Sequence, residues 1–363
     1  MHSEVIYMAD TKFKRIGVLT SGGDAPGMNA AVRSVVRTAV QNGVEVMGIF
    51  GGYRGLVEND MKLLDARDVA NTLNHGGTML FTDRCLEFKE ESGLQKAIKT
   101  CRENKIDGLV TIGGDGTFRG AKDLTRRGVP CIGIPGTIDN DISATDYTIG
   151  YDTAMNTVVD LVDKLRDTCE SHARCNVVEV MGRNAGYIAI NTGIATGAVG
   201  IAIEEFPFDL DATIEKMKEL KKAKKRNFII IVSEAFGPAY SENVAKRVEE
   251  ETGIETKFAR LAHVQRGGTP TLRDRELASL MGYKAVELLL EGKSNMVVCI
   301  RDEVICGTDI EYALCYDKLC KGKIKVEDIK GFSDEQVARM VADAEIRRQR
   351  MFATYDIAQK ISI

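Results

Sequence analysis

One pattern recurs along the chain: a short apolar run, then a glycine-rich turn, then an amphipathic stretch with helical spacing. This succession is typical of parallel βα units. Helices are expected from about Met28 and from about Phe118. Apolar runs predict seven strands, at residues 16–20, 44–50, 108–112, 131–134, 176–180, 228–232 and 296–300. Because the pattern restarts in the second half of the chain, the sequence predicts an α/β fold with two domains.

The predicted domains are each built from two stretches of chain. We expect a larger domain over residues 13–150 together with residues 264–315, and a smaller one over residues 151–263 together with the tail 316–363. In the tail, Ser333 and Gln336 have the spacing of a capping box. Apolar residues then follow at helical intervals and predict a packed surface helix: Val337, Met340, Val341 and Ala344. Residues 1–12 carry no pattern, and no functional residue is expected there.

Composition limits the classes of protein that fit. The 363 residues include 49 Lys and Arg against 53 Asp and Glu, a net charge of −4, which argues against nonspecific binding to nucleic acid or anionic lipid. No apolar run approaches the roughly 20 residues that cross a bilayer, and the amino terminus lacks the apolar core of a secretory signal. We therefore expect a cytoplasmic protein. The nine cysteines lack CxxC spacing and are expected to be reduced thiols.

Two glycine-rich motifs follow predicted strands and suit phosphate. SGGDAPG, at residues 21–27, is neither GxGxxG nor a Walker motif, so a dinucleotide dehydrogenase and a P-loop enzyme both lose support. GGDGT, at residues 113–117, places Asp115 between glycines, where a carboxylate suits Mg²⁺ beside nucleotide phosphates. This second motif also occurs in kinases of NAD and of diacylglycerol. By itself it therefore indicates nucleotide phosphotransfer only.

A third motif, PGTIDND at residues 135–141, brings two carboxylates together. Asp139 and Asp141 repel each other unless a metal or a proton-transfer role offsets the repulsion. One of them can accept a proton from an attacking hydroxyl, which implies an alcohol substrate. Cations suited to a phosphoryl group stand in three further turns: Arg84 in TDRC, Arg183 in MGRNAG, and His263 with Arg266 in HVQRGG.

Taken together, SGGDAPGMN, GGDGT, PGTIDND, VEVMGR and HVQRGGTP resemble the bacterial ATP-dependent 6-phosphofructokinases, over about residues 14–310. The resemblance implies two similar three-layer α/β domains with mostly parallel sheets and the active site in the cleft between them. It also implies an allosteric homotetramer with sites shared across subunits. The activity it implies is glycolytic transfer of the γ-phosphate of ATP to the 1-hydroxyl of fructose 6-phosphate.

The resemblance also assigns roles to individual residues. Gly23 matches the backbone donor to the transferred phosphate, and Asp115 matches the carboxylate that carries Mg²⁺. The matched ATP contacts are Gly23, Arg84, Cys85, Gly114, Asp115, Gly116 and Thr117. Asp139 matches the proton acceptor and Arg183 the cation that stabilises the transition state, and with Thr137 and Gly23 they form the catalytic set that the resemblance implies. Asp141 matches a supporting acid near the metal. The matched contacts to fructose 6-phosphate are Thr137, Ile138, Asp139, Arg174, Met181, Gly182, Arg183, Glu234, Lys257, His263, Val264, Gln265 and Arg266, with Arg174 reaching a neighbouring subunit.

Alternatives to this activity can be separated by sequence. Pyrophosphate-dependent relatives resemble GGDD and PKTIDND, whereas Gly116 and Gly136 stand at those positions here and favour ATP. A non-catalytic subunit that binds nucleotide and sugar phosphate has no need of a base such as Asp139. A lipid or dinucleotide kinase accounts for GGDGT, but not for PGTIDND or HVQRGG.

Three departures from the family pattern carry expectations. Lys257 replaces an arginine that reaches across the subunit interface, so weaker binding of fructose 6-phosphate is expected. Phe81 replaces a small residue before the Arg84 turn and reshapes the nucleotide pocket. An effector site for a nucleoside diphosphate or phosphoenolpyruvate keeps five matching cations, Arg33, Arg37, Arg166, Lys225 and Arg226, but has Val199 in place of a glutamate and Ala66 in place of an arginine. The basic run at residues 216–226 therefore has two interpretations, a solvated helix face and part of this effector site.

Overall fold

The computed structural model describes residues 13–362, and the expectation about residues 1–12 lies outside them. Contacts divide the described chain into two compact units. Unit 1 holds residues 13–137, 142–150 and 268–324, and unit 2 holds residues 138–141, 151–267 and 325–362. Three stretches lie in the other unit than predicted, and one of them, residues 264–267, belongs to unit 2. Residues 138–141 belong to unit 2, where Asp139 pairs with Arg183, and residues 316–324 belong to unit 1, because the helix that contains residue 316 packs there.

Unit 1 is built on a seven-stranded sheet. Its strands, in chain order, are β1 (Arg15–Ser21), β2 (Glu45–Ile49), β3 (Met61–Leu64), β4 (Gly108–Gly113), β5 (Cys131–Pro135), β10 (Met296–Arg301) and β11 (Val304–Asp309). Their order across the sheet is β11-β10-β5-β4-β1-β2-β3. The pairs β10–β11 and β2–β3 are antiparallel, and every other pair in this sheet is parallel. The carboxyl ends of β1, β2, β4 and β5 therefore lie along one edge.

Six helices belong to unit 1. They are α1 (Met28–Gln41), α2 (Tyr53–Glu58), α3 (Glu91–Glu103), α4 (Asp115–Thr125), α9 (Leu272–Leu290) and α10 (Ile310–Cys320). Helix α1 packs closely on α9, and the side chain of Ser34 donates to the carbonyl of Ser279 at 2.5 Å. A Cβ on Gly282 would lie 2.7 Å from that of Ser34, so glycine allows the two helices to approach.

Unit 2 contains a four-stranded, fully parallel sheet with the order β7-β8-β6-β9. Its strands are β6 (Cys175–Val180), β7 (Gly200–Ala202), β8 (Phe228–Ser233) and β9 (Thr256–Arg260). Its helices are α5 (Tyr151–His172), α6 (Tyr187–Ala195), α7 (Leu210–Lys222), α8 (Tyr240–Thr252), α11 (Val326–Ile329) and α12 (Asp334–Ile361). Every residue of β6 and β8 is buried, as an apolar run in a parallel sheet predicts. All seven predicted strands are present, and the mostly parallel α/β fold is confirmed.

The tail forms α12, and its start is the predicted one. Ser333 and Gln336 make both hydrogen bonds of the capping box. The packed face differs from the predicted one, because Met340 is buried but Val341 is exposed. The helix is instead fixed to unit 2 by its second half, where Tyr355 is buried and its hydroxyl donates to the carbonyl of Ile201 at 3.1 Å.

Two further expectations concern the chain as a whole. All nine cysteines are free thiols, in agreement with the sequence analysis. Within the part of the chain that the structure describes, no helix has both the length and the apolar character needed to span a membrane.

Candidate active site

Unit 1 carries the predicted donor residues on loops that follow its strands. The loop after β1 holds Gly22 and Gly27 at φ of 93° and 105°, a left-handed backbone that glycine adopts without strain. A Cβ at position 27 would lie 2.7 Å from Ile149 Cγ2, so this turn into α1 requires glycine. Gly23 lies in the same loop and is exposed, which a backbone donor to a bound phosphate must be.

Hydrogen bonds join the loops of unit 1 into one connected surface. Thr117 Oγ1 donates to the carbonyl of Ser21 at 3.0 Å, which links the loops after β4 and β1. Thr82 Oγ1 donates to the carbonyl of Gly22 at 2.7 Å, and the Tyr53 hydroxyl donates to the carbonyl of Thr117 at 2.5 Å. The loop after β1, the start of α4, the start of α2 and the segment that carries Thr82 and Arg84 therefore hold one another in place.

Tyr53 is a positioning residue that the sequence analysis did not select. Its ring is buried and stacks on Phe88 at a centroid distance of 4.1 Å. A Cβ on Gly120 would lie 2.7 Å from the Tyr53 ring, so α4 needs glycine where the tyrosine packs against it. The available signal was the motif GGYRG, in which an aromatic residue follows a glycine pair at the end of a strand.

Helix α4 begins at Asp115, earlier than the predicted start near Phe118. The carbonyl of Gly114 accepts the N–H groups of Thr117 and Phe118, which closes the first turn of the helix. Asp115 thus lies at the positive end of the helix dipole and pairs with Arg119 one turn further on. A Cβ on Gly114 or on Gly116 would meet no atom within 4 Å. A phosphate group can therefore approach this helix start closely.

The segment before α3 carries the other predicted donor residues. Arg84 is exposed, and Cys85 is half-buried against the core of unit 1. Phe81 has φ of 57°, a left-handed conformation that is unusual for a bulky residue. Its carbonyl accepts the Thr20 hydroxyl at 2.9 Å, while its ring is 65 % exposed and lies 6.0 Å from that of Phe50. Phe81 immediately precedes Thr82, the residue that donates to the carbonyl of Gly22.

Unit 2 carries the predicted acceptor residues, and two of them meet directly. Asp139 is 2 % exposed, and its Oδ2 lies 3.4 Å from Arg183 Nε. Burial raises the pKa of Asp139 to about 6, and the neighbouring Asp141 acts in the same direction. The cations Arg183 and Arg266 oppose this rise. The pKa of Asp139 is therefore close to neutral pH, which suits a group that must accept and release a proton.

Glu234 shapes the loop that presents Arg183. Its Oε1 accepts the N–H groups of Gly182 and Arg183, at 3.2 and 2.9 Å. Both residues have positive φ, and a Cβ on Gly182 would lie 2.5 Å from the carbonyl oxygen of Ala185. The loop therefore needs glycine at position 182. The carboxylate of Glu234 accepts hydrogen bonds from the N–H groups of Gly182 and Arg183, which have no carbonyl partner in this tight turn.

The HVQRGG motif forms a short 3-10 helix over Ala262–Arg266. His263 and Val264 are exposed, and Arg266 is half-buried and acts on Asp139. Gln265 is fully buried, and its amide links the N–H of Met181 to the carbonyl of Ala262, at 3.3 and 3.0 Å. Its side chain therefore ties this turn to the loop after β6.

Two predicted sugar contacts of the PGTIDND motif lie in different units. Ile138 belongs to unit 2 and is fully buried. Thr137 belongs to unit 1, where its carbonyl accepts the Thr148 hydroxyl at 2.6 Å.

Arg174 and Lys257 share one carboxylate of unit 2. Arg174 Nε donates to Glu255 Oε2 at 2.7 Å, and Lys257 Nζ lies 2.9 Å from Glu255 Oε1. The hydrogen bond from Arg174, followed by that from Lys257, lowers the pKa of Glu255 to about 2. The two cations that the family resemblance assigns to a neighbouring sugar phosphate are therefore adjacent, at the amino-terminal ends of β6 and β9.

The predicted effector cations fall into one group in each unit. In unit 1, burial lowers the pKa of Arg33, and Arg37 on the same helix acts in the same direction. In unit 2, Arg166 donates to Asn227 Oδ1 at 2.9 Å, and burial together with Arg166 lowers the pKa of Lys225. Arg226 donates to the carbonyls of Glu170 and Ser171, at 3.1 and 3.2 Å, so its guanidinium caps the end of α5.

Glycine-rich loops at strand ends and a buried carboxylate beside an arginine are features of α/β phosphotransferases. The chain belongs to the phosphofructokinase family, whose model matches residues 15–289. The resemblance drawn from the five motifs is therefore confirmed.

Several relatives of this chain are named ATP-dependent 6-phosphofructokinase. An ATP-dependent 6-phosphofructokinase of Halothermothrix orenii is 51% identical over 316 residues, which cover 84% of this chain and 95% of the relative. One from Bacillus subtilis is 52% identical over 297 residues, or 82% of this chain and 92% of the relative. The solved phosphofructokinase of Saccharomyces cerevisiae is 33% identical, with a TM-score of 0.84 over 95% of this chain, which spans half the length of the yeast chain.

Proposed function

We propose that this protein is an ATP-dependent 6-phosphofructokinase (EC 2.7.1.11). It transfers the γ-phosphate of ATP to the 1-hydroxyl of D-fructose 6-phosphate, giving fructose 1,6-bisphosphate and ADP. The observation that carries the proposal is the buried carboxylate of Asp139, which has a raised pKa and pairs with Arg183. Relatives of about half identical sequence, which match over most of this chain, carry this activity in their names.

The chemistry of the acceptor unit follows from its charges. Asp139 accepts the proton of the 1-hydroxyl as the oxygen attacks the γ-phosphorus, and a pKa of about 6 leaves it ionised at neutral pH. The Arg183 guanidinium offsets the negative charge on the transferring group, to which it can donate from two nitrogens. His263 and Arg266 bind the 6-phosphate, while Met181, Gly182 and Glu234 contact the sugar.

ATP binds to unit 1 in this proposal. The N–H of Gly23 donates to the transferred phosphate, and the start of α4, from Gly114 to Thr117, holds the phosphate chain together with Arg84 and Cys85. Asp115 would hold Mg²⁺, which neutralises phosphate charge. Residues 13–362 contain no cluster of three or more His, Cys, Asp or Glu that suits a metal. One carboxylate fits the usual mode in which Mg²⁺ takes most of its ligands from phosphates and water.

The space around two glycines supports ATP rather than pyrophosphate as the donor. Gly136 is buried, and a Cβ there would lie 3.0 Å from Met28 Cε and 3.2 Å from Ile112 Cγ2. Any side chain at this position would require both neighbours to shift by a few tenths of an ångström, and glycine avoids that shift. At Gly116 the space is open, so nothing fills the room that a nucleotide needs.

The remaining parts of the proposal concern assembly and regulation. We propose a homotetramer, in which Arg174 and Lys257 reach the sugar phosphate of a neighbouring subunit, and a glycolytic role in the cytoplasm. An anionic effector would bind between subunits, where Arg33 and Arg37 of one subunit face Arg166, Lys225 and Arg226 of another. Burial of Arg33 and Lys225 supports this part, because a lowered pKa marks cations that an anion would stabilise.

A coupled assay tests the proposal. Purified protein is supplied with fructose 6-phosphate and either ATP or pyrophosphate, with and without Mg²⁺. We expect fructose 1,6-bisphosphate only when ATP and Mg²⁺ are both present. Turnover with pyrophosphate alone would assign the other donor, and binding of fructose 6-phosphate without any product would indicate a non-catalytic subunit.

A further inference from the structure

Arg347, on α12, contacts two separate segments of unit 2. Its Nε donates to the Tyr187 hydroxyl at 2.9 Å, and its guanidinium lies over the Tyr187 ring, 5.2 Å from the centroid. Its Nη2 makes a longer hydrogen bond, of 3.4 Å, to the carbonyl of Asn140. One planar guanidinium thus reaches an aromatic side chain on one segment and a backbone oxygen on another.

Both segments carry groups of the proposed reaction. Asn140 stands between Asp139 and Asp141, is 4 % exposed, and has φ of 50°. A left-handed residue at a buried position keeps its conformation only where the surrounding contacts fix it. The hydrogen bond from Arg347 acts on the peptide unit that joins Asn140 to Asp141, one residue after the proton acceptor Asp139.

Tyr187 lies at the other contact and begins α6, immediately after the loop that presents Arg183. The end of this loop is fixed at Gly186, whose N–H donates to Glu205 Oε1 at 2.8 Å. The next residue is Tyr187, whose hydroxyl accepts the hydrogen bond from Arg347 Nε. Arg347 therefore links the segment of the proton acceptor to the segment of the transition-state cation.

Helix α12, which carries Arg347, is itself fixed to the rest of unit 2. Helix α12 is anchored by the Tyr355 hydroxyl, which donates to the carbonyl of Ile201 in β7, and by the Tyr355 ring, 5.4 Å from that of Phe206. Lys216 Nζ donates to the Ser362 hydroxyl at 2.6 Å, which holds the end of the tail to α7. The backbone around Arg347 is thus held to unit 2 without the guanidinium.

We propose that Arg347 is a positioning residue for the phosphoryl transfer and that α12 is a working part of the acceptor site. The inference rests on the proposed function and deepens it. Arg347 lies beyond residue 289, where the match to the family ends. It sets the distance and direction of Asp139 relative to Arg183 through the two segments that it contacts.

Three variants test this role by steady-state kinetics of the full-length protein. Arg347→Met keeps an unbranched stem but removes all donors, Arg347→Lys keeps the charge without the fork, and Tyr187→Phe keeps the ring without the acceptor oxygen. The control is Arg348→Met, at the exposed next residue of the same helix. We expect kcat to fall about 10- to 100-fold in Arg347→Met, because small misplacements of reacting groups have effects of that order. The KM for ATP should stay within about twofold of the control.

Several readouts separate positioning from a general loss of structure. In a fourth variant, Arg347→Ala, which leaves room for the free cation, millimolar guanidinium should raise kcat saturably, whereas a merely unstable variant would gain nothing. Arg347→Lys should recover less than half of the lost activation free energy. The inference is overturned if the kcat of Arg347→Met stays within twofold of Arg348→Met, or if its loss matches the loss of folded protein on thermal melting.

The outcome for Arg347 can be read separately from the proposed function. If the wild-type protein forms no fructose 1,6-bisphosphate, the proposed function fails, and amide hydrogen exchange then decides the structural part. We expect residues 138–141 to exchange faster in Arg347→Met than in Arg348→Met. Equal exchange in the two variants would show that Arg347 does not hold this segment.

Discussion

Substituting Asp139 by Asn tests the acceptor site by opposing effects on activity and stability. Moving the pKa of a carboxyl from 3.8 to about 6 corresponds to about 3 kcal/mol. Because the pKa is raised in the folded state, this penalty is absent below about pH 4, where the carboxyl is protonated both folded and unfolded. The penalty grows between about pH 4 and 6 and is complete above that range. Asn cannot ionise and should remove it.

The variant should therefore be more stable than the wild type at pH 8, by up to about 3 kcal/mol, and should show no comparable gain at pH 4. For a unit of this size that corresponds to a rise in melting temperature of about 6–12 °C at pH 8. The kcat of the Asp139→Asn variant should fall by about 10²- to 10⁴-fold relative to the wild type, since the proton acceptor is lost. In the wild type, kcat should decline as the pH falls below about 6.

Scanning calorimetry at the two pH values, with the coupled kinase assay, measures both effects. Asp163→Asn, at an exposed position of α5, is the matched control and should change neither quantity. A stability gain that is equal at pH 4 and pH 8 would refute the argument from burial of charge. Near-normal turnover of Asp139→Asn would refute its assignment as the base.

Two further predictions concern the cations of the chain. Lys257→Arg should lower the apparent KM for fructose 6-phosphate several-fold, because a guanidinium can bind a phosphate through two donors, and an unchanged KM would count against this placement of Lys257. A nucleoside diphosphate or phosphoenolpyruvate should shift the fructose 6-phosphate saturation curve of the wild type, and Arg166→Ala should reduce that shift; a wild-type curve that neither compound moves would remove the effector site.

The strands show which part of the fold can be predicted from sequence. The seven that apolar runs predict include every interior strand of both sheets, because a strand flanked by neighbours and covered on both faces needs apolar residues throughout. The four that the runs do not reveal are all edge strands: β3, β7, β9 and β11. Each pairs on one side only, and sequences such as MKLL and TKFAR mix charged with apolar residues. Their places were decided by tertiary contacts.

The candidate site divides in the same way. Motifs name the groups with the required chemistry, since glycine-rich turns, paired carboxylates and arginines are local features that neighbouring residues specify. The pKa of Asp139 is not local, because it depends on burial and on charges from Arg183, Arg266 and Glu234, which come from other segments.

What the sequence determined by itself was the α/β fold, the glycine-rich loops and the kind of reaction, because each depends on short stretches of chain. What only the tertiary structure decided was the environment of those groups. It buried Gln265 and Ile138, placed Tyr53 beneath the start of α4, and brought Arg347 of the last helix to Asn140, 207 residues earlier in the chain. Such contacts depend on how distant segments pack, and no local pattern of residues encodes them.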